Sequence, residues 1–201
     1  MTDAQTGAAI GDARVEITAA PAEFTDRLAL HARQHGDRWA AMDERPDRTR
    51  TAADGHFHFM DLPDGDYTLS ASLPDAGSRY GQREAGASVS RDAEGNVSMA
   101  GADITLPPTT LRGRITDQLT GDPVIMAEVR VKGSGEHAFS DGDGRYLLAG
   151  LEATDQRERT VLVAAQGYER MSREVLLSEA GTEQALDFSL VSASLLAGCK
   201  L

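Results

Sequence analysis

Residues 51–71, TAADGHFHFMDLPDGDYTLSA, constrain the fold more than any other stretch of this chain. Two turn signals divide it, Asp54-Gly55 and Pro63-Asp64-Gly65. Asp-Gly favours the positive φ that tight hairpin turns require. After the first turn, Phe57 and Phe59 alternate with His56 and His58. After the second, Tyr67, Leu69 and Ala71 alternate with Thr68 and Ser70. Strict alternation puts one set of side chains on one face of a strand. The stretch therefore predicts strand, turn, strand, turn, strand, with the phenyl rings facing a core and the two imidazoles facing outward.

The same pattern returns in residues 140–164, SDGDGRYLLAGLEATDQRERTVLVA. Asp143-Gly144, Tyr146, Leu148 and Leu151 follow Asp54-Gly55, Phe57, Phe59 and Leu62 at a constant spacing of 89 residues. Upstream, Met1 to Gly7 matches Ile115 to Gly121 at a spacing of 114, and this continues through Ala13/Ala127, Val15/Val129 and Ile17/Val131. A third anchor pairs Asp103-Ile104-Thr105-Leu106 with Asp187-Phe188-Ser189-Leu190. Three anchors in one order indicate an internal duplication. The expected organisation is a first domain over 1–106, a Pro-rich linker over 107–110, a second domain over 111–191 and a tail over 192–201. Each domain is long enough to bury its own core.

The difference between the two spacings leaves about 25 extra residues in the first copy, roughly Ala20 to Arg50. Pro21 can open a helix. Phe24, Leu28, Ala32, His35 and Trp39 then recur near helical spacing, and Gly36 ends or interrupts the helix. Insertions on a repeated scaffold often carry specific function. The plainer alternative is a helix that caps an open end of the sandwich. The second copy also opens with an alternating strand, Leu111-Arg-Gly-Arg-Ile-Thr, whereas the first begins at Met1, level with Ile115. The first copy thus lacks nearly all of that strand. Either the chain is a fragment, or the strand is supplied by a partner or by the chain's own tail, Ser192 to Leu201. A missing strand leaves an edge open to strand addition.

With aromatics at 5% and 20 glycines, many short strands joined by Gly and Asp turns fit an all-β class. The net charge of −12, with 18 arginines and two lysines, argues against nonspecific binding to nucleic acid or anionic lipid. One cysteine, Cys199, rules out an internal disulfide. No apolar run reaches the length of a membrane span. The start lacks the basic and apolar regions of a secretory signal, so none is visible and the compartment stays open.

The recurring elements are A-x-V-x-V, at Ala13-Arg-Val15-Glu-Ile17, and (T/S)-x-x-D-G-x-(F/Y)-x-(F/L)-x-x-L-P-x-G-x-Y-x-L, running from Thr51 to Leu69. Residues Gly167-Tyr168 supply a later Gly-Tyr in the second copy. The pattern resembles the carboxypeptidase regulatory-like domain, a transthyretin-like β-sandwich, in two tandem copies. The second copy departs from it at Glu152 to Arg159, where Leu-Pro-x-Gly-x-Tyr is lost. The resemblance implies two Ig/transthyretin-like sandwiches, the first with a partly helical insertion, and a non-catalytic accessory or structural module. Fold likeness alone does not fix a function.

Several constellations could carry chemistry. His56 and His58 share one strand face, and His31 and His35 lie four apart on a helix. If the helix folded over the strand, four imidazoles could converge on a borderline metal. Intradiol dioxygenases use a β-sandwich with a His-x-His pair and two tyrosines on iron; here Tyr67 and Tyr80 would be the candidates. The copy-two equivalents of the histidines are Arg145 and Leu147, so the fold does not need them. Asp141-Gly-Asp143-Gly144 resembles the start of a calcium loop but lacks its later ligands, and reads as a tight turn. Isopeptide chemistry is disfavoured with Asn96 the sole asparagine. No nucleophile elbow or phosphate loop is present.

The expectation is therefore a non-enzymatic structural or protein-interaction module, a subunit or accessory domain of a larger bacterial assembly such as a surface array or phage-tail-like particle. No cofactor is expected. Its interaction residues would be Phe24, Leu28, Trp39, Arg45 and Tyr80, with a protein partner or self-association and possible strand donation to the domain 1 edge. The alternative is a carbohydrate- or metal-binding module using the insertion with His56 and His58, and a remoter one is a metal-dependent enzyme.

Overall fold

The computed structural model describes residues 1–193, apart from the side chains of residues 99 and 100. The chain divides into two compact units. Unit 1 comprises Met1–Ala76 and Gln82–Pro107; unit 2 comprises Gly77–Gly81 and the chain from Pro108 onward. Both are built of β-strands. The tail proposed as a donor strand lies, beyond Ala193, outside the described residues, as does Cys199.

Unit 1 contains β1 (Thr2–Asp3), β2 (Arg14–Ala19), α1 (Ala22–His35), α2 (Arg38–Ala41), β3 (Arg48–Arg50), β4 (Gly65–Ser72), β5 (Arg83–Arg91), β6 (Val97–Ala100) and β7 (Thr105–Leu106). Strands β3-β2-β4-β5-β6 form one five-stranded sheet. Among the described residues the opposite layer is the parallel pair β1-β7. Val15, Ile17, Tyr67, Leu69, Ala71, Ile104 and Leu106 are buried between them, following the alternation of the sequence.

The inserted helix forms as its spacing predicts. Pro21 stands at its N-cap, and Gly36, at φ 54°, ends it by donating its N–H to Ala32 O at 2.9 Å. Phe24 is fully buried, its ring edge-on to Tyr67 at 5.9 Å. The helix start lies so close to β4 that a Cβ on Gly65 would come within 2.5 Å of Pro21 Cγ. Phe24, named above as an interaction residue, is thus corrected to a core residue: its ring closes one end of the sandwich and offers no surface.

Unit 2 contains β8 (Thr110–Asp117), β9 (Glu128–Val131), β10 (His137–Phe139), β11 (Arg145–Ala149), β12 (Arg159–Ala164), β13 (Met171–Val175), β14 (Glu183–Ala185) and β15 (Phe188–Leu190). One sheet runs β10-β9-β12-β13. In the other, β8 pairs antiparallel with β11 and parallel with β14 and β15. Leu111, Ile115, Val129, Val131, Tyr146, Leu148, Val161, Val163 and Phe188 form the core between them.

Local geometry recurs in the two units at the spacings found in the sequence. Thr51 Oγ1 donates to Ile10 O at 2.7 Å and accepts from Ala13 N at 3.0 Å; Ser140 Oγ does the same with Val124 O and Ala127 N at 2.7 and 2.9 Å. Val15 stands opposite Ala71, and Val129 opposite Val163; the partners here are 92 residues apart (163 − 71), the extra three absorbed by the longer turn before β12. Thr2 stands opposite Thr105, and Thr116 opposite Ser189.

Two expectations are revised. The linker expected over 107–110 is shorter, because Thr109 and Thr110 are buried in unit 2. Residues 72–86 hold the end of β4, a 3-10 segment at Pro74–Arg79 and the start of β5. Within unit 2, Arg79 pairs with Glu136 and also donates to Gly150 O at 2.6 Å, while its own carbonyl accepts from Thr109 N at 2.8 Å. Finally, residues 56–59 are not a strand, although Phe57 and Phe59 alternate correctly.

Two outcomes test these assignments. Phe24→Ala removes a buried ring and is expected to cost about 3–4 kcal/mol in denaturant unfolding. Leu30→Ser, on the exposed face of α1, should stay within about 0.5 kcal/mol. The Arg79 guanidinium holds the Glu136 carboxyl below its ordinary pKa. That contribution is complete above the ordinary glutamate range and is lost as pH falls through the depressed value. An acid melting series should show a shallower pH slope for Arg79→Ala than for the parent chain.

Candidate interaction site: an uncovered strand slot

The failure of 56–59 to form a strand has one physical cause. Its counterpart in unit 2, β11, is hydrogen-bonded along β8, with Arg145 opposite Arg114, Tyr146 opposite Gly113, Leu147 opposite Arg112 and Leu148 opposite Leu111. In unit 1 the corresponding partner exists only as Met1 and β1. The Met1 nitrogen donates to Gly55 O at 2.7 Å, as Ile115 N does to Gly144 O at 2.8 Å. Met1 O accepts from Ile10 N at 3.2 Å, as Ile115 O does from Val124 N at 2.9 Å. Met1 therefore stands where Ile115 stands, and among the described residues none takes the places of Thr110 to Arg114.

What remains is a groove of about 320 Å³. Phe57 and Phe59, both half-buried and edge-to-face at 6.3 Å, form one wall. Gly101, Ala102 and Asp103 form the other, with Tyr67, Leu69 and Val89 also lining it. Burial raises the Tyr67 pKa, and its hydroxyl donates to Pro63 O at 2.7 Å. Gly55, which also lines the groove, packs directly against Met1: at φ 80°, a Cβ there would lie 2.3 Å from Met1 O. An exposed backbone edge beside apolar rings can bind an extended peptide, because the backbone supplies hydrogen bonds and the rings supply burial.

In unit 2, β8 fills the equivalent place. Leu111 is fully buried there, and Arg112 and Arg114 face outward. A Cβ on Gly113 would come within 2.1 Å of Leu186 O. Leu186 N donates to Arg112 O at 2.8 Å, and Arg114 N donates to Asp187 Oδ1 at 2.7 Å.

A sandwich of this topology carrying the Asp-Gly-x-Tyr-x-Leu turn over β11 has a counterpart among known families. Residues 110–191 match the carboxypeptidase regulatory-like domain. This match covers most of unit 2 and does not extend to residues 1–106. No curated protein matches the chain. Among solved structures, a type II cohesin–X-dockerin complex from Acetivibrio cellulolyticus is 19% identical over 41% of this chain and 55% of that one, with a TM-score of 0.32. The chain thus spans about half of that structure's length. The shaft pilin spaA from Lactobacillus rhamnosus GG is 12% identical over 92% and 88% of the two chains, at a TM-score of 0.42. The minor pilin GBS52 from Streptococcus agalactiae is 15% identical over 94% and 86%, at 0.30. These likenesses are too distant to carry a function across.

In unit 2, whose residues 110–191 match that family, β8 fills the strand slot, and among the described residues the equivalent place in unit 1 is open. The site residues expected from sequence are scattered. Trp39 is half-buried, with the His31 ring parallel to it at 6.4 Å, the His35 ring at 5.8 Å and the Arg45 guanidinium at 4.9 Å. Arg45 is itself held by Asp47 at 2.9 and 3.0 Å. Leu28 is half-buried on α1, and Tyr80 lies in unit 2. His56 is highly exposed beside Asp54, with which it lies at 3.2 Å, and its N–H helps hold that carboxyl below its ordinary pKa. His58 shares a cleft with His31, but His35 and His56 do not line it. The four imidazoles are therefore not brought together, and among the described residues no group of three or more His, Cys, Asp or Glu could hold a metal.

Sequence reasoning did not single out Asp103. Its signal was present, since Asp103 aligns with Asp187 in the third anchor. The groove makes its own prediction. Amide hydrogens of Phe57 and Phe59 should exchange about 100-fold faster or more than those of Tyr146 and Leu148, measured by hydrogen exchange on the intact chain.

Proposed function

We propose that this chain is a non-enzymatic protein-interaction module whose unit 1 is completed by an added β-strand in its open slot. The observation that carries the reading is the pair of equivalent positions, one filled by β8 and one open between Phe57–Phe59 and Gly101–Asp103. In this reading unit 1 is a second carboxypeptidase regulatory-like sandwich, and the setting is a larger assembly. The reading rests on backbone and core chemistry, which a strand donor matches and a sugar does not. The ring best suited to stacking on a sugar, Trp39, is already engaged by two imidazoles and a guanidinium.

The probe is acetyl-Pro-Thr-Thr-Leu-Arg-Gly-amide, the chain's own residues 108–113. A guest that binds the folded state alone raises its stability in proportion to occupancy. Added to the intact chain, the peptide should raise the Tm of the unit 1 transition in a dose-dependent way and slow exchange at Phe57 and Phe59. No rise and no protection at millimolar peptide would overturn the reading.

A further inference from the structure

Independently of the unit 1 slot, we infer that the outer face of the unit 2 sheet β11-β8-β14 docks an extended protein segment carrying a carboxylate two residues from an apolar side chain. Alternation along these strands buries Tyr146, Leu148 and Leu111 and leaves Arg145, Leu147, Arg112 and Arg114 outside. The register sets two rows across the face. Leu147 stands opposite Arg112, which stands opposite Ala185; Arg145 stands opposite Arg114. With Phe139 from β10, these residues line a groove of about 600 Å³. Leu147 is 48% exposed and Phe139 51%, so the groove offers apolar surface to solvent. The fold does not demand either side chain: 89 residues earlier the chain carries His58 and Arg50.

The charges decide what fits. Like charges directly opposite each other in a sheet repel, and Arg145 faces Arg114 in this way. The chain has 32 acidic and 20 basic residues, yet three arginines line the groove, Arg112, Arg114 and Arg145, against two aspartates, Asp141 and Asp187. Both aspartates are engaged by backbone amides. Asp141 Oδ1 accepts from Asp143 N at 2.9 Å and from Arg145 N at 2.8 Å, and Asp187 Oδ1 accepts from Arg114 N at 2.7 Å. Arg114 forms no ion pair among the described residues, its Nε donating to Asp143 O at 3.0 Å. Arg145 reaches the Asp143 carboxylate at 3.4 Å with both side chains exposed, and such a surface pair contributes little. The Arg145–Arg114 row therefore keeps donors for a carboxylate from outside, which relieves the repulsion and gains charge-assisted bonds. In an extended chain, side chains i and i+2 lie on one side about 7 Å apart, the same step as from the arginine row to the Leu147 row. A carboxylate over Arg145 and Arg114 thus brings an apolar side chain over Leu147. That apolar step commits the surface to a protein segment, since the hydroxyls of an acidic sugar gain nothing beside Leu147 and Phe139.

The probe is acetyl-Ser-Leu-Ser-Glu-Ser-Leu-Ser-amide, which sets a leucine two residues from its glutamate in either direction. Titrated at low salt into the intact isotope-labelled chain, it should shift the amides of residues 112–114, 139, 145–147 and 185. Glutamine in place of the peptide's glutamate should weaken binding about fivefold or more, and serine in place of both leucines should do the same. Arg114→Gln combined with Arg145→Gln, and separately Leu147→Ser, should each weaken it by a similar factor, with melting curves confirming that unit 2 is folded. Binding that ignores the glutamine peptide and the paired arginine variant would overturn the inference, as would the absence of shifts at these residues at millimolar peptide. Shifts confined to residues 54–59 and 101–103 would also overturn it while leaving the reading of unit 1 intact. Trigalacturonate that binds this face where the peptide does not would overturn the protein segment as its occupant.

Discussion

The fold depends on a backbone hydrogen-bond ladder along one strand. In unit 2, β8 is paired on both edges, antiparallel with β11 and parallel with β14 and β15. Everything on that layer takes its position from it. β11 is a strand because β8 receives its backbone groups, and the break between β14 and β15 is held by Leu186 and Asp187 bonding back to the same strand. In unit 1 the matching strand, β1, is two residues long among the described residues. Residues 56–59 then hang as an extended segment beside a groove, and the residues matching β14 turn to β5 instead.

The rest of unit 1 tolerates the loss because its other sheet is complete. Five strands hold Val15, Ile17, Tyr67, Leu69 and Ala71 in place, and Phe24 from the insertion seals one end. The helix thus repairs the core at a position far from the uncovered slot in sequence. That division explains why the insertion did not become the site. Its largest aromatic groups are spent on burial, in Phe24, and on stacking within the insertion, in Trp39, His31 and His35.

Much of this was legible in the sequence, because turn chemistry and alternation act locally. The Asp-Gly turns, the helix over 22–35 and its end at Gly36, and the strands around Val15, Tyr67, Val129 and Val161 all follow from nearest-neighbour rules. That Phe57 and Phe59 would not form a strand was not legible, since a correct alternation still needs a paired neighbour to become one. The inward path of Arg79 to Glu136 had no sequence signal at all: it depends on where the chain passes after β4. The convergence of His31, His35 and Trp39 required the reversal at Gly36, which periodicity marks only as an end.

The parallel pairing of first and last strands has a mechanical consequence. In each unit the chain enters along one strand and leaves along its parallel neighbour, β1 beside β7 and β8 beside β14 and β15. Tension applied through the backbone pulls such neighbours in opposite directions along their length. The hydrogen bonds between them are loaded together in shear and do not peel open one at a time. The clamp of unit 1 is two residues long, while that of unit 2 extends along the eight residues of β8. A stretched chain should therefore yield first at unit 1.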